Sequence, residues 1–139
     1  MESLPVKTVL VAWLVAVVAF LVIDGIWLGL IARGFYASRL GDLMRQPILV
    51  APAALFYLCY AAGLVFLAVR PFQPELSLGN VALYGAVVGF LAYGTYDMTN
   101  LSTVRDWPVA VSVVDLIWGT CLSAAVSVIA AIAVRRWGG

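Results

Sequence analysis

The chain has 139 residues, a mean hydropathy of +1.08, and charged side chains at only 11% of its positions. A soluble domain needs a polar surface, so this composition excludes one and indicates an integral membrane protein. A formal net charge of +1 and the absence of histidine remove a basic surface for nucleic acid, the usual metal ligand and the usual general base. We therefore expect neither a nucleic-acid partner nor a metal site.

Four apolar runs follow one another with little sequence between them. They cover about residues 8–32, 48–69, 79–101 and 109–134, and each is long enough for the roughly 20 helical residues that cross a bilayer. Short connections make neighbouring spans run antiparallel. The sequence therefore predicts an all-α fold, with one transmembrane domain over residues 1–139 built as an up-down four-helix bundle.

The connection between the first two spans is the only one with room for structure of its own. In "RGFYASRLGDLMRQP", apolar and charged residues alternate in a pattern suited to a helix in the membrane interface, at about residues 34–45. Ser77, just before the third run, predicts an N-terminal helix cap. Four aromatic residues near the predicted span ends are typical of the interfacial aromatic belt, namely Trp27, Tyr36, Trp107 and Trp137.

The basic residues of the loops do not orient the bundle strongly. Four lie on each side: Lys7, Arg70, Arg135 and Arg136 with the termini, and Arg33, Arg39, Arg45 and Arg105 on the other side. The positive-inside rule therefore gives no preference between the two sides. Arg135 and Arg136 directly follow the last span, which favours cytoplasmic termini.

Three of the four spans carry one aspartate each: Asp24, Asp97 and Asp115. Counted along the helices from the charged rim, all three lie roughly 12–14 Å inside it. A carboxylate near the bilayer centre costs on the order of 2.5–3.5 kcal/mol, so we expect the three to form one cluster facing the bundle interior. No Lys or Arg at that depth neutralises them, and we expect at least one to be protonated.

The third span ends in a group of polar residues that share one helical face: Tyr93, Tyr96, Asp97 and Asn100. Gly85 and Gly89 continue this face and allow a neighbouring helix to approach closely. The Asn100 amide both donates and accepts hydrogen bonds. We expect it to bond to an aspartate of a neighbouring span or to a ligand.

Trp118 lies near the predicted middle of the last span, one turn beyond Asp115. Its indole N–H therefore needs an acceptor within the bundle or on a ligand. Asp24 with Trp27, and Asp115 with Trp118, repeat the pattern D-x-I-W. Because the first and last spans run in opposite directions, we expect Trp27 to point toward the membrane surface and Trp118 away from it, which argues against an internal duplication.

Four segments carry a resemblance to a known family: Asp24 with Trp27, "FYLCY" at 56–60, "YGTYDMTN" at 93–100 and "VDLIWG" at 114–119. Together they resemble a bacterial family of four-span membrane proteins catalogued as a domain of unknown function. The resemblance covers nearly the whole chain. It implies a multi-pass protein of the bacterial inner membrane without an assigned activity, often encoded near enzymes of fatty-acid modification and of light or oxidative stress response.

These observations favour a pocket for a membrane lipid or another amphipathic small molecule, in an accessory protein or an enzyme of membrane-lipid modification or stress response. The polar end of this molecule would bond to four side chains of the pocket: Asp24, Asp97, Asn100 and Asp115. Its walls would be Tyr57, Tyr60, Tyr93, Tyr96 and Trp118. General acid–base chemistry by the carboxyl groups is the chemistry that these residues offer. Whether the protein catalyses a reaction, and with which cofactor, stays open at this point.

Two alternatives from other functional classes remain. The chain length, the carboxylate in the first span and the balanced loop charges also suit a proton- or cation-coupled small transporter that works as a homodimer. The small size and the glycine-rich face of the third span also suit a structural subunit of a larger membrane complex.

Overall fold

The computed structural model describes residues 5–44, 49–72 and 77–137, and helix is the only regular secondary structure in these segments. The α-helices are α1 Val6–Ile26, α2 Arg33–Leu40, α3 Val50–Leu64, α4 Leu78–Thr103 and α5 Val109–Trp137. Two of them continue directly into π-helical segments, α1 into Trp27–Ile31 and α3 into Val65–Val69. Short 3-10 turns follow at Gly41–Leu43 and Arg70–Phe72.

Within the described segments, four helical stretches are long and apolar enough to cross a membrane: Val6–Ile31, Val50–Phe72, Leu78–Thr103 and Val109–Trp137. The bilayer core offers no partner for a free backbone N–H or C=O, so apolar runs of this length satisfy their backbone as helices. The predicted all-α fold with four spans is confirmed. Residue 48, the predicted start of the second span, and residue 45, the predicted end of the interfacial helix, lie outside the described residues.

The ends of α4 show how local chemistry bounds a helix. The Ser77 hydroxyl accepts a hydrogen bond from the Asn80 backbone N–H at 3.4 Å, which is the predicted N-terminal cap. After Thr103 the chain turns through Asp106, whose φ of 64° lies in the left-handed region. Aspartate is among the few non-glycine residues that adopt this conformation readily.

The helices α4 and α5 approach each other closely along a line of small residues. A Cβ atom added at Gly85 would lie 2.5 Å from Ser127 Oγ, and one at Gly89 would lie 2.6 Å from the Gly119 carbonyl oxygen. No side chain fits at such distances, so glycine is required for this contact. The predicted role of the glycine face is confirmed, and its neighbour is α5.

The same antiparallel register continues toward the connection between α4 and α5. One turn beyond Gly89, the ring of Tyr93 lies over Gly119, where an added Cβ would be 2.1 Å from the ring. One further turn along each helix brings Asp97 to the level of Asp115. The acids of the last two spans are therefore placed together by the glycine contacts that precede them.

The helix α1 packs on α5 through a second stripe of small and apolar residues. Its buried residues recur at every fourth position: Thr8, Ala12, Ala16, Phe20 and Asp24. On α5, buried residues recur with the same spacing at Leu122, Val126, Ala130 and Val134. Equal ridges of this kind interlock between helices, and a hydrogen bond from Trp118 to Asp24 sets their antiparallel register.

The second span differs in its packing along its length. Val65–Val69 packs on α1, α4 and α5, whereas the preceding helix α3 packs chiefly on α1. Residues 50–56, the first two turns of α3, are all exposed in the bundle. The start of the second span therefore stands away from α4 and α5 and leaves a cleft on the side of the connection to α2.

Candidate functional site

The cleft between α1, α3, α4 and α5 has a volume of about 570 Å³. This lies within the roughly 300–1,000 Å³ of small-molecule sites. Its polar lining consists of Asp24, Tyr57, Tyr93, Tyr96 and Asp115, and its apolar lining of Leu28, Leu49, Pro52, Ala53, Phe56 and Ala92. Several apolar lining residues are themselves exposed on the outside of the bundle. The cleft therefore opens sideways, toward the side of the bundle that faces lipid chains.

Asp24 is only 5% exposed, and both of its carboxyl oxygens accept hydrogen bonds. Trp118 Nε1 donates to Oδ1 at 2.9 Å, and the Tyr57 hydroxyl donates to Oδ2. These bonds replace part of the hydration that a buried carboxylate loses. They also supply the acceptor that the sequence predicts for the Trp118 indole.

Asp115 is half-buried and receives its hydrogen bond from the short helix α2. The Tyr36 hydroxyl donates to Asp115 Oδ1 at 3.0 Å and accepts from Trp27 Nε1 at 3.3 Å. Burial raises the pKa of Tyr36 above its ordinary value of 10.0. The hydroxyl therefore keeps its proton and remains a donor to Asp115.

The assignment of Trp27 and Tyr36 to the interfacial aromatic belt is wrong. Tyr36 is 8% exposed, and the indole of Trp27 stacks on that of Trp118, with centroids 4.3 Å apart and ring planes 10° apart. The expectation that the two tryptophans point apart is wrong as well. The repeated D-x-I-W pattern could have predicted this contact between the two tryptophans. Because the spacing is the same on two antiparallel helices, Trp27 lies at the level of Asp115 and Trp118 at the level of Asp24.

Asp97 is fully buried, with 0% of its surface exposed, and no donor from the described residues reaches either carboxyl oxygen. Its polar neighbour is the carboxyl group of Asp115. The backbone of Asp97 is held separately, because Ser112 Oγ donates to its carbonyl oxygen at 2.8 Å.

The expected hydrogen bond from Asn100 to a neighbouring aspartate is not formed. Its side chain lies beside the hydroxyl of Tyr96, one turn earlier on the same helix. The side chain of Asn100 is half-buried and lies outside the lining of the cleft. The polar residues predicted to share one face of α4 therefore have different neighbours. Tyr93 and Tyr96 line the cleft, whereas the side chain of Asn100 lies beside Tyr96 on the same helix.

Tyr60 and Tyr93 form the packed aromatic part of the site. The hydroxyl of Tyr60 lies 2.6 Å from Ser123 Oγ, which joins α3 to α5. The ring of Tyr60 meets that of Tyr93 edge to face, with centroids 6.2 Å apart. Within the described part of the chain, the hydroxyl of Tyr93 makes no hydrogen bond, and its ring lines the cleft. The Tyr93 hydroxyl is therefore available to donate or accept a hydrogen bond with a ligand.

The three aspartates all lie inside the bundle. Asp24 and Asp115 line the cleft, and Asp97 lies behind Asp115. Of the other predicted ligand-binding residues, Tyr57, Tyr93 and Tyr96 line the cleft, whereas Tyr60, Trp118 and Asn100 do not. The part that any of them takes in binding stays a prediction.

The family model described as "Predicted membrane protein (DUF2177)" matches residues 9–132, a range that contains the whole lining of the cleft. The chain belongs to the DUF2177 family. It shares with that family the character of a multi-pass membrane protein of unknown function. Comparison with the curated proteins and with the solved structures gave no match.

Proposed function

We propose that this DUF2177 protein binds an amphipathic molecule inside the membrane. The polar end of the molecule contacts Asp24, Asp115 and the Tyr93 hydroxyl, and its chain leaves the cleft between the exposed apolar residues of the first and second spans. The observation that carries the proposal is the cleft of about 570 Å³, which joins carboxyl and hydroxyl groups to an apolar opening at the side of the bundle. Lipid-like molecules likewise join a polar head group to an apolar chain.

The packing around the cleft supports a site that exists before the ligand arrives. Asp24 is held by two donors, Asp115 is held by Tyr36, and Tyr93 is pressed against Gly119. A binding group that is already oriented loses little entropy when the ligand binds. In this proposal Trp118 and Tyr60 position the lining residues and do not touch the ligand. The ligand enters from the bilayer, in keeping with a role in membrane-lipid modification or stress response.

The test compares two variants in which the same large ring is added to neighbouring positions of α3. Ala53 lines the cleft, whereas Ala54 is exposed and lies outside the lining. Protein extracted gently from membranes is examined by native mass spectrometry for bound amphipathic molecules. We expect the parent and Ala54→Trp to retain one and Ala53→Trp to lose it. A parent protein that carries none, or an Ala53→Trp variant that retains as much as the parent, would refute the proposal.

A second candidate is proton-coupled transport, and one observation favours it. The carboxyl group of Asp97 is fully buried, has no donor among the described residues and adjoins Asp115 at the cleft. Ionisable groups in this position are typical of proton relays in membrane transporters. Reconstituted vesicles with an internal pH dye test it: the parent should release protons when a transported cation is added, and Asp97→Asn should not. Equal proton fluxes in the two would exclude this function.

A further inference from the structure

The carboxyl groups in the lining of the cleft offer acceptors of hydrogen bonds, and its donors are tyrosine hydroxyls. Both oxygens of Asp24 and one oxygen of Asp115 are carboxyl acceptors already held by side chains of the bundle. The hydrogen bond that the structure gives to Asp115 comes from the neutral Tyr36 hydroxyl, and the other polar neighbour of Asp115 is the carboxyl group of Asp97. A ligand that completes this wall must bring a donor of its own.

The charge of the lining points the same way. Among the residues that line the cleft, two are acidic and none is basic. In the described part of the chain, no Lys or Arg forms an ion pair with Asp24 or Asp115, whose hydrogen-bond partners are neutral Tyr and Trp side chains. An anionic head group would meet like charges in a medium of low dielectric constant, where repulsion is strong. A cationic head group would supply the missing counter-charge.

The aromatic lining is suited to a cation as well. Four aromatic residues belong to the lining of the cleft: Phe56, Tyr57, Tyr93 and Tyr96. The faces of aromatic rings attract ammonium groups, and cages of such rings with an acidic residue bind organic cations. The apolar remainder of the lining leaves room for an aliphatic chain.

We infer that the ligand of the cleft is an amphipathic organic cation, a long-chain amine or ammonium compound whose charged nitrogen lies between Asp115, Asp24 and the tyrosine rings. This inference rests on the proposed function, because it names the class of molecule that the same cleft binds. A neutral alcohol of equal chain length donates a hydrogen bond but leaves the charge uncompensated, so it binds less tightly. A fatty acid binds least tightly, because its carboxylate is repelled by Asp24 and Asp115.

The experiment uses three probes that share one chain and differ only in the head group: hexadecylamine, hexadecanol and hexadecanoate. Each is added to the delipidated full-length protein in a neutral detergent at neutral pH, and retention is measured by native mass spectrometry with thermal shift as a second readout. We expect the amine to be retained most strongly and the carboxylate least. Asp115→Asn keeps the shape and the acceptor for Tyr36, and it should weaken amine retention about 10- to 100-fold, the range for losing a hydrogen bond to a charged group.

The control for this variant is Asp42→Asn, which removes a carboxylate from an exposed turn outside the cleft and should leave amine retention unchanged. If hexadecanoate is retained as well as the amine, and both are lost in Ala53→Trp, the cleft binds amphipathic molecules but the assignment to cations is wrong. If Ala53→Trp alters the retention of none of the three, the proposed function itself fails. Equal amine retention in Asp115→Asn and Asp42→Asn would also overturn the inference.

Discussion

Trp27 and Trp118 stack face to face, with ring centroids 4.3 Å apart and planes 10° apart. Each indole N–H is directed to the aspartate that accompanies the other tryptophan. Trp118 donates directly to Asp24, and Trp27 reaches Asp115 through the hydroxyl of Tyr36. The two D-x-I-W segments are therefore reciprocal partners on antiparallel helices. Their contact joins α1 to α5 at the level of the acidic residues.

Trp118→Phe should destabilise the protein by about 1–3 kcal/mol, because it leaves one oxygen of buried Asp24 without its donor. Phenylalanine keeps one six-membered ring at this position, so the loss comprises the hydrogen bond and the packing of the rest of the indole. The free energy of unfolding in detergent measures the effect. Trp137→Phe, at a residue that is 58% exposed, is the control and should change stability little. Equal losses in the two variants would mean that the bond to Asp24 contributes nothing.

Tyr36→Phe should lower stability by about 1–3 kcal/mol, because Trp27 loses its acceptor and Asp115 loses its donor. The difference from the parent should also depend on pH. The pKa of Tyr36 is raised in the folded state above its ordinary value of 10.0. Its contribution is therefore complete below about pH 10 and declines as the pH rises further. Unfolding measured from neutral to alkaline pH checks this. A difference that stays constant above pH 10 would contradict the assigned role.

Gly89→Ala should destabilise the bundle by about 1–3 kcal/mol, because the new methyl group meets the backbone of α5 and forces the helices apart. The nearest atom is the Gly119 carbonyl oxygen, 2.6 Å from the added carbon. Gly63→Ala is the matched control: no atom lies within 4 Å of a Cβ there, and alanine favours helix by about 0.5–1 kcal/mol. Thermal unfolding of the two variants in the same detergent should shift in opposite directions.

Asp24→Ala and Asp97→Ala remove the same number of atoms from buried positions but should differ in effect. At Asp24 the change leaves Trp118 Nε1 and the Tyr57 hydroxyl without an acceptor, at a cost of about 1–3 kcal/mol for each buried donor. At Asp97 no donor from the described residues is left unpaired, and one of two adjoining carboxyl groups is removed. Stability should therefore fall in the first variant and fall less, or rise, in the second. Chemical unfolding curves decide between this order and its reverse.

Features that depend on position along a single helix were predictable from the sequence. The four spans follow from apolar runs, because the bilayer forces such runs into helices. The placement of Asp24, Asp97 and Asp115 inside their spans, away from the span ends, follows from the constant helical rise of 1.5 Å per residue. The glycine face of α4 follows from the periodicity of the helix. Each of these depends on local geometry, which the order of residues determines by itself.

The relations between helices were decided only in the tertiary structure. The stacking of Trp27 on Trp118 depends on the register between α1 and α5, which residues far along both helices set through their packing. The burial of Tyr36 depends on where α2 comes to rest against α5. The cleft exists because the start of α3 stands away from α4. The apolar residues of the second span do not predict the direction in which this helix leaves the bundle. Contact between two spans depends on the sum of many weak packing interactions across both surfaces. Residue spacing within one span therefore predicts which face of the helix is polar, but only the folded bundle determines which helix that face contacts.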